Sequence, residues 1–182
     1  RSGSGYAGLY TYNNYVADMR EYAEIQLISP LVTGICYYFE MYVNVPNNFS
    51  LASDGIGALF VQGALHANSA KVIPQSPQIE NPVGNVLTDT AGWTKIAGYF
   101  TADGGEDHLI IGNFRDDDHT ITTVVNPNCW YLHAAYLLID DVLLQPVEGT
   151  LELGSDTLVC HGSQLVLSTG NFGTSWLWSN GS

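Results

Sequence analysis

Positively charged side chains are scarce in this chain of 182 residues, which has five Lys and Arg against eighteen Asp and Glu and a formal net charge of −13. Binding to phosphate groups needs a basic surface, so this balance argues against nucleic acid and against an anionic membrane surface as partners. The chain also lacks an apolar run of eighteen residues, which argues against membrane insertion. The hydrophobic content of 46% is nevertheless enough for a folded core.

Catalytic and zinc-binding motifs are missing as well. The five histidines show neither a His-x-x-x-His nor a Glu-x-x-His spacing, and the chain has no Gly-x-Ser-x-Gly elbow and no phosphate-binding loop. Cys36, Cys129 and Cys160 are too scattered for a zinc site, and an odd count leaves one thiol whose partner lies outside these residues. We therefore predict a protein that is not an enzyme, although a glycosidase-like pair of carboxylates stays open.

Strand patterns dominate what remains. Residues 35–45 alternate strictly between an apolar face and a face of polar and aromatic residues, and turn residues flank them. Further strands are predicted at residues 5–12, 20–29, 56–61, 93–101, 108–114 and 130–144, and a long loop at 65–89. The regular spacing predicts an antiparallel β-sandwich of the jelly-roll type over residues 1–144.

The alternation assigns a core face and an outer face to the strands. The predicted core residues are Ile35, Tyr37, Phe39, Met41, Val43, Ile96, Phe100 and Val142. The opposite face carries Tyr38, Glu40 and Tyr42 on one strand and Trp93, Lys95 and Tyr99 on another. Aromatic rings beside polar groups can bind sugars, so Tyr38, Glu40, Tyr42, Trp93, Tyr99 and Trp130 are the candidate ligand-binding residues. The same aromatic residues could instead be covered by the long loop or by neighbouring domains.

Two adjacent carboxylates, Asp140 and Asp141, lie in the middle of the last predicted strand. A carboxylate in an apolar layer must be paired, hydrogen-bonded or bound to a cation. Asp140 shares its parity with Leu138, Val142 and Leu144, the presumed core side, and is therefore the better candidate ligand for a structural calcium ion. Hydrogen bonds from backbone amides, or an ion pair with Arg20, are the alternatives. We also expect Arg20 and Arg115, two of the few cations, each to have a carboxylate partner.

The character of the sequence changes at residues 145–150, and we interpret these six residues as a linker. Residues 151–182 then repeat a pattern of strand and turn, but so short a segment cannot bury a sandwich core of its own. It is interpreted as the start of a second domain.

Two parts of the chain resemble gliding-motility-associated and type IX-secreted bacterial surface proteins. Residues 153–157 with Cys160, and Trp178-Ser179-Asn180-Gly181, resemble the immunoglobulin-like repeats of those proteins. Residues 3–144 resemble the jelly roll that precedes such repeats. The matching pieces are residues 3–10, 20–22, 77–81, 104–106 with 111–114, and 139–142. More distantly, the strand at 139–142 resembles one in jelly-roll carbohydrate-binding modules.

The resemblance implies a first strand that lies before Arg1, and a disulfide partner for Cys160 beyond residue 182. In the carbohydrate-binding modules, the Asp that matches Asp140 holds a structural calcium ion together with backbone carbonyls near the amino-terminal strand. The chain is accordingly predicted to be an extracellular, cell-surface recognition module for glycan or another surface polymer. The alternatives are a structural or adhesion subunit whose aromatic faces pack against neighbouring domains or copies, and a fragment of a polysaccharide hydrolase.

Overall fold

The computed structural model describes residues 5–65, 71–129 and 133–147. The chain divides into two compact units, Arg1–Pro146 and Val147–Ser182. Trp130, Cys160 and the predicted immunoglobulin-like segment 151–182 lie outside the described residues, so the predictions about them stay predictions.

The described residues form strands and one short turn of 3-10 helix, with no α-helix among them. The strands are β1 (Ala7–Asn13), β2 (Tyr22–Gln26), β3 (Cys36–Asn44), β4 (Leu51–Ser53), β5 (Gly57–Val61), β6 (Ile79–Glu80), β7 (Thr94–Thr101), β8 (His108–Gly112), β9 (Thr122–Val124) and β10 (Ala134–Pro146). The 3-10 turn is Asp117–His119. The prediction of an all-β fold is confirmed.

The strands build two sheets that pack face to face. Sheet A has the order β7-β3-β10-β4-β9, with β1 on the other edge of β10, and sheet B has the order β2-β8-β5-β6. All pairings are antiparallel except the short parallel contact of β10 with β4. Neighbouring strands are mostly distant in sequence, as in a jelly-roll sandwich.

Strand β3 shows how the sequence specifies this fold. Tyr37, Phe39, Met41 and Val43 are buried between the sheets, and the residues that alternate with them are half-buried on the outer side. The ring of Phe39 meets that of Phe60 from sheet B edge-on, at 5.7 Å between centroids. Burying side chains of this size contributes about 1.5–3 kcal/mol each, so the predicted register of β3 is strongly favoured, and the structure confirms it.

Two predicted core residues are wrong. Ile35 is 39% exposed, because it belongs to a turn in which its amide bonds back to Val32, one residue before β3 begins. Val142 is 45% exposed, although it lies on the core side, because the sheets separate there. The two shortest sheet A strands, β4 and β9, have three residues each and were not predicted, since so few residues carry no periodicity.

The predicted orientation of Asp140 is also wrong. Leu137 and Ile139 are the buried residues of β10 at this point, and Asp140 lies opposite Tyr42 on the outer side. The pairing then shifts, so that Asp141 and Val142 together face Met41, and Asp141 has a left-handed φ of 49°. This β-bulge resets the alternation, so the parity of Val142 and Leu144 on one side of it does not apply to Asp140 on the other side.

The expectation that both arginines have carboxylate partners is confirmed. Arg20 is fully buried and donates to Asp117 at 2.9 Å, and Arg115 donates to the buried Asp54 at 3.0 Å. Arg20 also donates twice to the carbonyl of Arg115. The first pair ties the segment before β2 to the turn after β8, and the second ties that turn to the residue that follows β4. Both pairs therefore have a structural role, and Arg20 is removed as the partner of Asp140.

Candidate functional site

An aromatic and polar surface covers the outer side of sheet A where β3 and β7 pair. It consists of Tyr38, Glu40 and Tyr42 from β3 and Lys95 and Tyr99 from β7, and we call it the tyrosine face. The inner side of the same strands carries buried residues, so the period of two places these five side chains together on the outside. The tyrosine face is thus a direct consequence of the pattern that builds the core.

Tyr38 and Tyr99 form the aromatic part of the tyrosine face. They lie directly opposite each other in the β3–β7 register. Their ring centroids are 5.0 Å apart and their planes are tilted by 46°. Tyr99 is 53% exposed, so the pair presents ring surface to solvent. Exposed aromatic surface of this kind is typical of a binding surface.

A polar group with fixed geometry lies beside the ring pair. The Tyr38 hydroxyl donates to Oε2 of Glu40 at 2.6 Å, and Nζ of Lys95 lies 3.5 Å from the same oxygen. The hydrogen bond to Glu40 is the main cause that raises the pKa of Tyr38. The Tyr38 hydroxyl, and after it the Glu40 carboxylate, raise the pKa of Lys95. At neutral pH, therefore, Tyr38 is a neutral donor and Lys95 is charged.

Trp93 extends this surface along β7. It lies immediately before the strand, and its ring is 6.4 Å from that of the exposed Tyr6, at an angle of 59°. Asn44, at the end of β3, donates to the carbonyl of Gly92 at 2.6 Å and so fixes the turn that carries Trp93. At about 3.3 Å per residue, the distance from Trp93 to Tyr99 is roughly 20 Å. Tyr6 was not predicted, because its contact depends on the pairing of β1 with β10.

A second aromatic cluster lies on the outer side of the same sheet and is closed. Tyr136 stacks on the buried Phe49 at 4.8 Å and 4°, and Tyr10 meets both rings edge-on. Gly8 lets the Tyr136 ring lie flat on β1, because a Cβ there would be 2.6 Å from the ring. Burial is the main cause that raises the pKa of Tyr136, in contrast to Tyr38. We call Tyr10, Phe49 and Tyr136 the closed cluster.

The two predicted calcium ligands lie at the bulge of β10. The amide of Asp141 donates to Oδ1 of Asp140 at 2.8 Å, which matches the predicted alternative of a backbone amide as partner. Among the described residues, no group of three or more His, Cys, Asp and Glu could hold a metal ion. Calcium takes six to eight oxygens, so the two carboxylates would supply only part of its shell and backbone carbonyls or water the rest. The calcium site stays a prediction.

The structure therefore brings together Tyr38, Glu40, Tyr42 and Tyr99, with Trp93 at one end, whereas Trp130 lies outside the described residues. Asp140 lies next to Tyr42 in the β10–β3 register, so it borders the tyrosine face. Cys36 and Cys129 are both free thiols. In the described part of the chain, no helix is long and apolar enough to cross a membrane.

Comparison with known proteins gives little. No family model and no curated protein matches this chain. Among solved structures, it is similar to the CBM22-1 xylan-binding domain of Xyn10C from Paenibacillus barcinonensis, with 16% sequence identity and a TM-score of 0.33. The match covers 66% of this chain and 60% of that domain's chain. At this level the likeness assigns neither a family nor a ligand, so the tyrosine face must be judged by its own geometry.

Proposed function

We propose that this chain is a non-catalytic glycan-recognition module that binds an uncharged polysaccharide on the tyrosine face. The observation that supports this most directly is the open Tyr38–Tyr99 ring pair beside the fixed Tyr38–Glu40–Lys95 group. Sugar rings present C–H surfaces that pack on aromatic rings, and they present hydroxyls that need polar partners. The tyrosine face offers both within neighbouring residues of two strands.

The shape of the surface suits a polymer. Trp93 lies just before β7 and Tyr99 near the end of that strand, roughly 20 Å apart at about 3.3 Å per residue. The surface lies on the pleated side of a regular sheet, not in a deep cleft. Consecutive sugar units could therefore contact consecutive aromatic side chains, and the chain of the polymer could continue beyond the module at either end.

Charge decides the class of glycan. Within the part of the chain that the structure describes, Lys95 is the one cation on the tyrosine face, and its neighbour Glu40 already compensates it at 3.5 Å. Asp140 borders the face, and the whole chain carries a net charge of −13. A polyanionic glycan would therefore be repelled, whereas a neutral glycan would not experience this repulsion. This is the reason for proposing an uncharged polysaccharide.

The engagement of Glu40 supports a binding role over hydrolysis. Its carboxylate accepts the Tyr38 hydroxyl proton in a hydrogen bond and lies next to Lys95. Both contacts are made by the same oxygen, Oε2, whereas the two carboxyl groups of a glycosidase face the scissile bond from opposite sides. A surface location outside the cell, in a protein of the gliding-motility or type IX-secreted kind, is part of the same proposal and rests on the sequence resemblance.

An adhesion subunit is the second candidate, because the exposure of Tyr99 and Tyr6 also suits a protein interface. A glycan array separates the two. The full chain, a Tyr38→Ala/Tyr99→Ala variant and a Tyr15→Ala control, which removes an exposed tyrosine on another part of the surface, are applied to neutral and acidic polysaccharides. We expect the wild type and the control to bind neutral polysaccharides and the double variant to lose them. No glycan binding, together with self-association of the wild type that the double variant lacks, would favour adhesion.

A further inference from the structure

The rings of Tyr38 and Tyr99 are close enough to react with each other. The two residues lie directly opposite each other on β3 and β7, and their ring centroids are 5.0 Å apart at a tilt of 46°. At this distance the edges of the two rings are close to van der Waals contact, which for carbon atoms is about 3.5–4.0 Å. The pairing of the two strands holds the rings in this arrangement, so the fold need not change to bring them together.

The hydroxyl of Tyr38 already contacts a group that can accept its proton. It donates to Oε2 of Glu40 at 2.6 Å, and Nζ of Lys95 lies 3.5 Å from the same oxygen. A phenol that loses an electron becomes strongly acidic, and a carboxylate in hydrogen-bond contact can take the proton as the electron leaves. Tyr38 is therefore well placed for oxidation to a phenoxyl radical.

An oxidant can reach this ring pair in the folded chain. Tyr99 is 53% exposed, and Tyr38 is half-buried on the outer side of β3. Oxidation of the pair therefore needs no unfolding, and two radicals formed there would meet without diffusion of one chain to another.

We propose that Tyr38 and Tyr99 form a site of oxidative cross-linking, at which hydrogen peroxide and a haem peroxidase join the two rings by a carbon–carbon bond. The peroxidase takes one electron from each tyrosine, while the proton of Tyr38 passes to Glu40 and that of Tyr99 to water. The two radicals couple at ring carbons next to the hydroxyl-bearing carbons, and the hydrogen on each coupled carbon then moves as a proton to the phenolic oxygen. The protein loses two hydrogen atoms, and one hydrogen peroxide is reduced to two molecules of water.

The bond would fasten β7 to β3 covalently. Tyr38 and Tyr99 are roughly sixty residues apart in the chain, and a cross-link that closes a long loop lowers the entropy of the unfolded state. The melting midpoint of the cross-linked chain should therefore be about 5 °C or more above that of the untreated chain.

The closed cluster contains a second tyrosine pair that serves as an internal control. The rings of Tyr10 and Tyr136 are 4.9 Å apart, as close as the proposed pair, but they meet edge-on at 83°. Both residues are half-buried, and the buried Phe49 stacks on one face of Tyr136. A peroxidase has less access to this pair, so we expect it to cross-link far less than Tyr38 and Tyr99.

Peptide mapping after oxidation tests the proposal. The full chain is treated at low concentration with hydrogen peroxide and a haem peroxidase, without glycan, so the result does not depend on the proposed glycan site. Trypsin cleaves after Lys and Arg, which places Tyr38 in peptide 21–71 and Tyr99, as its single tyrosine, in peptide 96–115. We expect a monomer that is lighter by two hydrogen atoms, shows dityrosine fluorescence and joins these two peptides at Tyr38 and Tyr99. A link between peptides 2–20 and 116–182, which contain Tyr10 and Tyr136, should form with at least about tenfold lower yield.

Variants that keep the rings complete the test. Tyr38→Phe and Tyr99→Phe each remove one reacting hydroxyl and should abolish the link between peptides 21–71 and 96–115, and thermal melting verifies that both variants fold. Glu40→Gln cannot take the proton and should slow formation of the link by about tenfold or more. Tyr15→Phe, which changes an exposed tyrosine elsewhere on the surface, is the control and should leave the yield unchanged.

Three results would overturn the proposal. They are no link between peptides 21–71 and 96–115, a link that persists in Tyr38→Phe or Tyr99→Phe, and a link between peptides 2–20 and 116–182 of equal yield. An unchanged rate in Glu40→Gln would overturn the role of Glu40 as the proton acceptor.

Discussion

The two aromatic clusters on the outer side of sheet A consist of similar residues but differ in what covers them. In the closed cluster, the buried Phe49, from the segment between β3 and β4, lies flat on one face of the Tyr136 ring. On the tyrosine face, Tyr99 is 53% exposed beside the ring of Tyr38, and Tyr38 is held by a hydrogen bond to Glu40. The same sheet thus has an aromatic region that serves stability next to one that is available for binding.

Residue type alone therefore does not distinguish an aromatic cluster such as the closed cluster from a binding surface. Burial raises the pKa of Tyr136, whereas a polar neighbour raises that of Tyr38. The first effect marks a side chain partly removed from water, and the second marks a hydroxyl positioned at the surface. Substitutions in the two clusters should therefore act on different quantities.

The largest effect is expected from Phe49→Ala. It removes a buried ring that stacks on Tyr136 and meets Tyr10, so it should lower the free energy of unfolding by about 3 kcal/mol. Glycan binding by the folded variant should stay within about twofold of wild type, since Phe49 is not part of the tyrosine face. Urea denaturation and glycan titration measure the two quantities. A loss of affinity without a loss of stability would erase the distinction between the clusters.

Calcium at Asp140 and Asp141 would stabilise the part of β10 that lies between the two clusters, because the bulge is located there. If the ion binds, calcium at about a hundred times its Kd should add about 2.7 kcal/mol to the free energy of unfolding. Thermal melting of the full chain with calcium and with a chelator measures this, and Asp140→Ala should remove the difference. An unchanged melting midpoint, with no calcium found by elemental analysis, would contradict the calcium prediction.

Tyr99→Ala should do the reverse of Phe49→Ala. The side chain is more than half exposed, so its removal should change the free energy of unfolding by less than about 0.5 kcal/mol. Glycan affinity should fall by about 1–2 kcal/mol, or roughly five- to thirty-fold, because one of the two stacking rings is lost. Isothermal titration against the best neutral polysaccharide measures the loss. Equal affinity in the variant would show that the ring pair does not carry binding.

The smallest effect concerns pH. In the folded chain the pKa values of Tyr38 and Lys95 are raised above their ordinary values of 10.0 and 10.5, so their contacts with Glu40 contribute at neutral pH. These contributions are lost as the pH rises through the raised folded-state values. Glycan affinity should therefore be flat from neutral pH to about 9 and fall above about 10. Tyr38→Phe should make the loss of glycan affinity at high pH smaller, and it should lower the affinity slightly at neutral pH. A decline that begins near pH 7 would point to a different titrating group.

The sequence predicted the fold class and much of the tyrosine face, because one periodic signal governs both. The alternation of residues 35–45 assigns Phe39 and Met41 to the core and Tyr38 and Glu40 to the outer side, and the β3–β7 pairing then brings Tyr99 to Tyr38. Long strands carry enough residues for this signal to be unambiguous.

Features that depend on irregularity or on long-range pairing were missed. The orientation of Asp140 was predicted from the alternation of apolar and polar residues along β10, and the bulge at Asp141 interrupts that alternation. The alternating pattern itself does not show that a residue has been inserted. The cover of Tyr136 by Phe49 and the contact of Tyr6 with Trp93 join segments far apart in the chain. The separation of the two sheets beside Val142 is a property of the pair of sheets, which no single strand encodes.

Amide chemical shifts show directly whether the tyrosine face is the surface that binds glycan. The full chain, labelled with ¹⁵N, is titrated with an oligosaccharide of the neutral polysaccharide that binds best on the array. We expect the shifts to concentrate at residues 38–42 and 95–99 and the closed cluster to be unaffected. Shifts centred on sheet B, with residues 38–42 and 95–99 unchanged, would contradict the assignment of the tyrosine face as the glycan site.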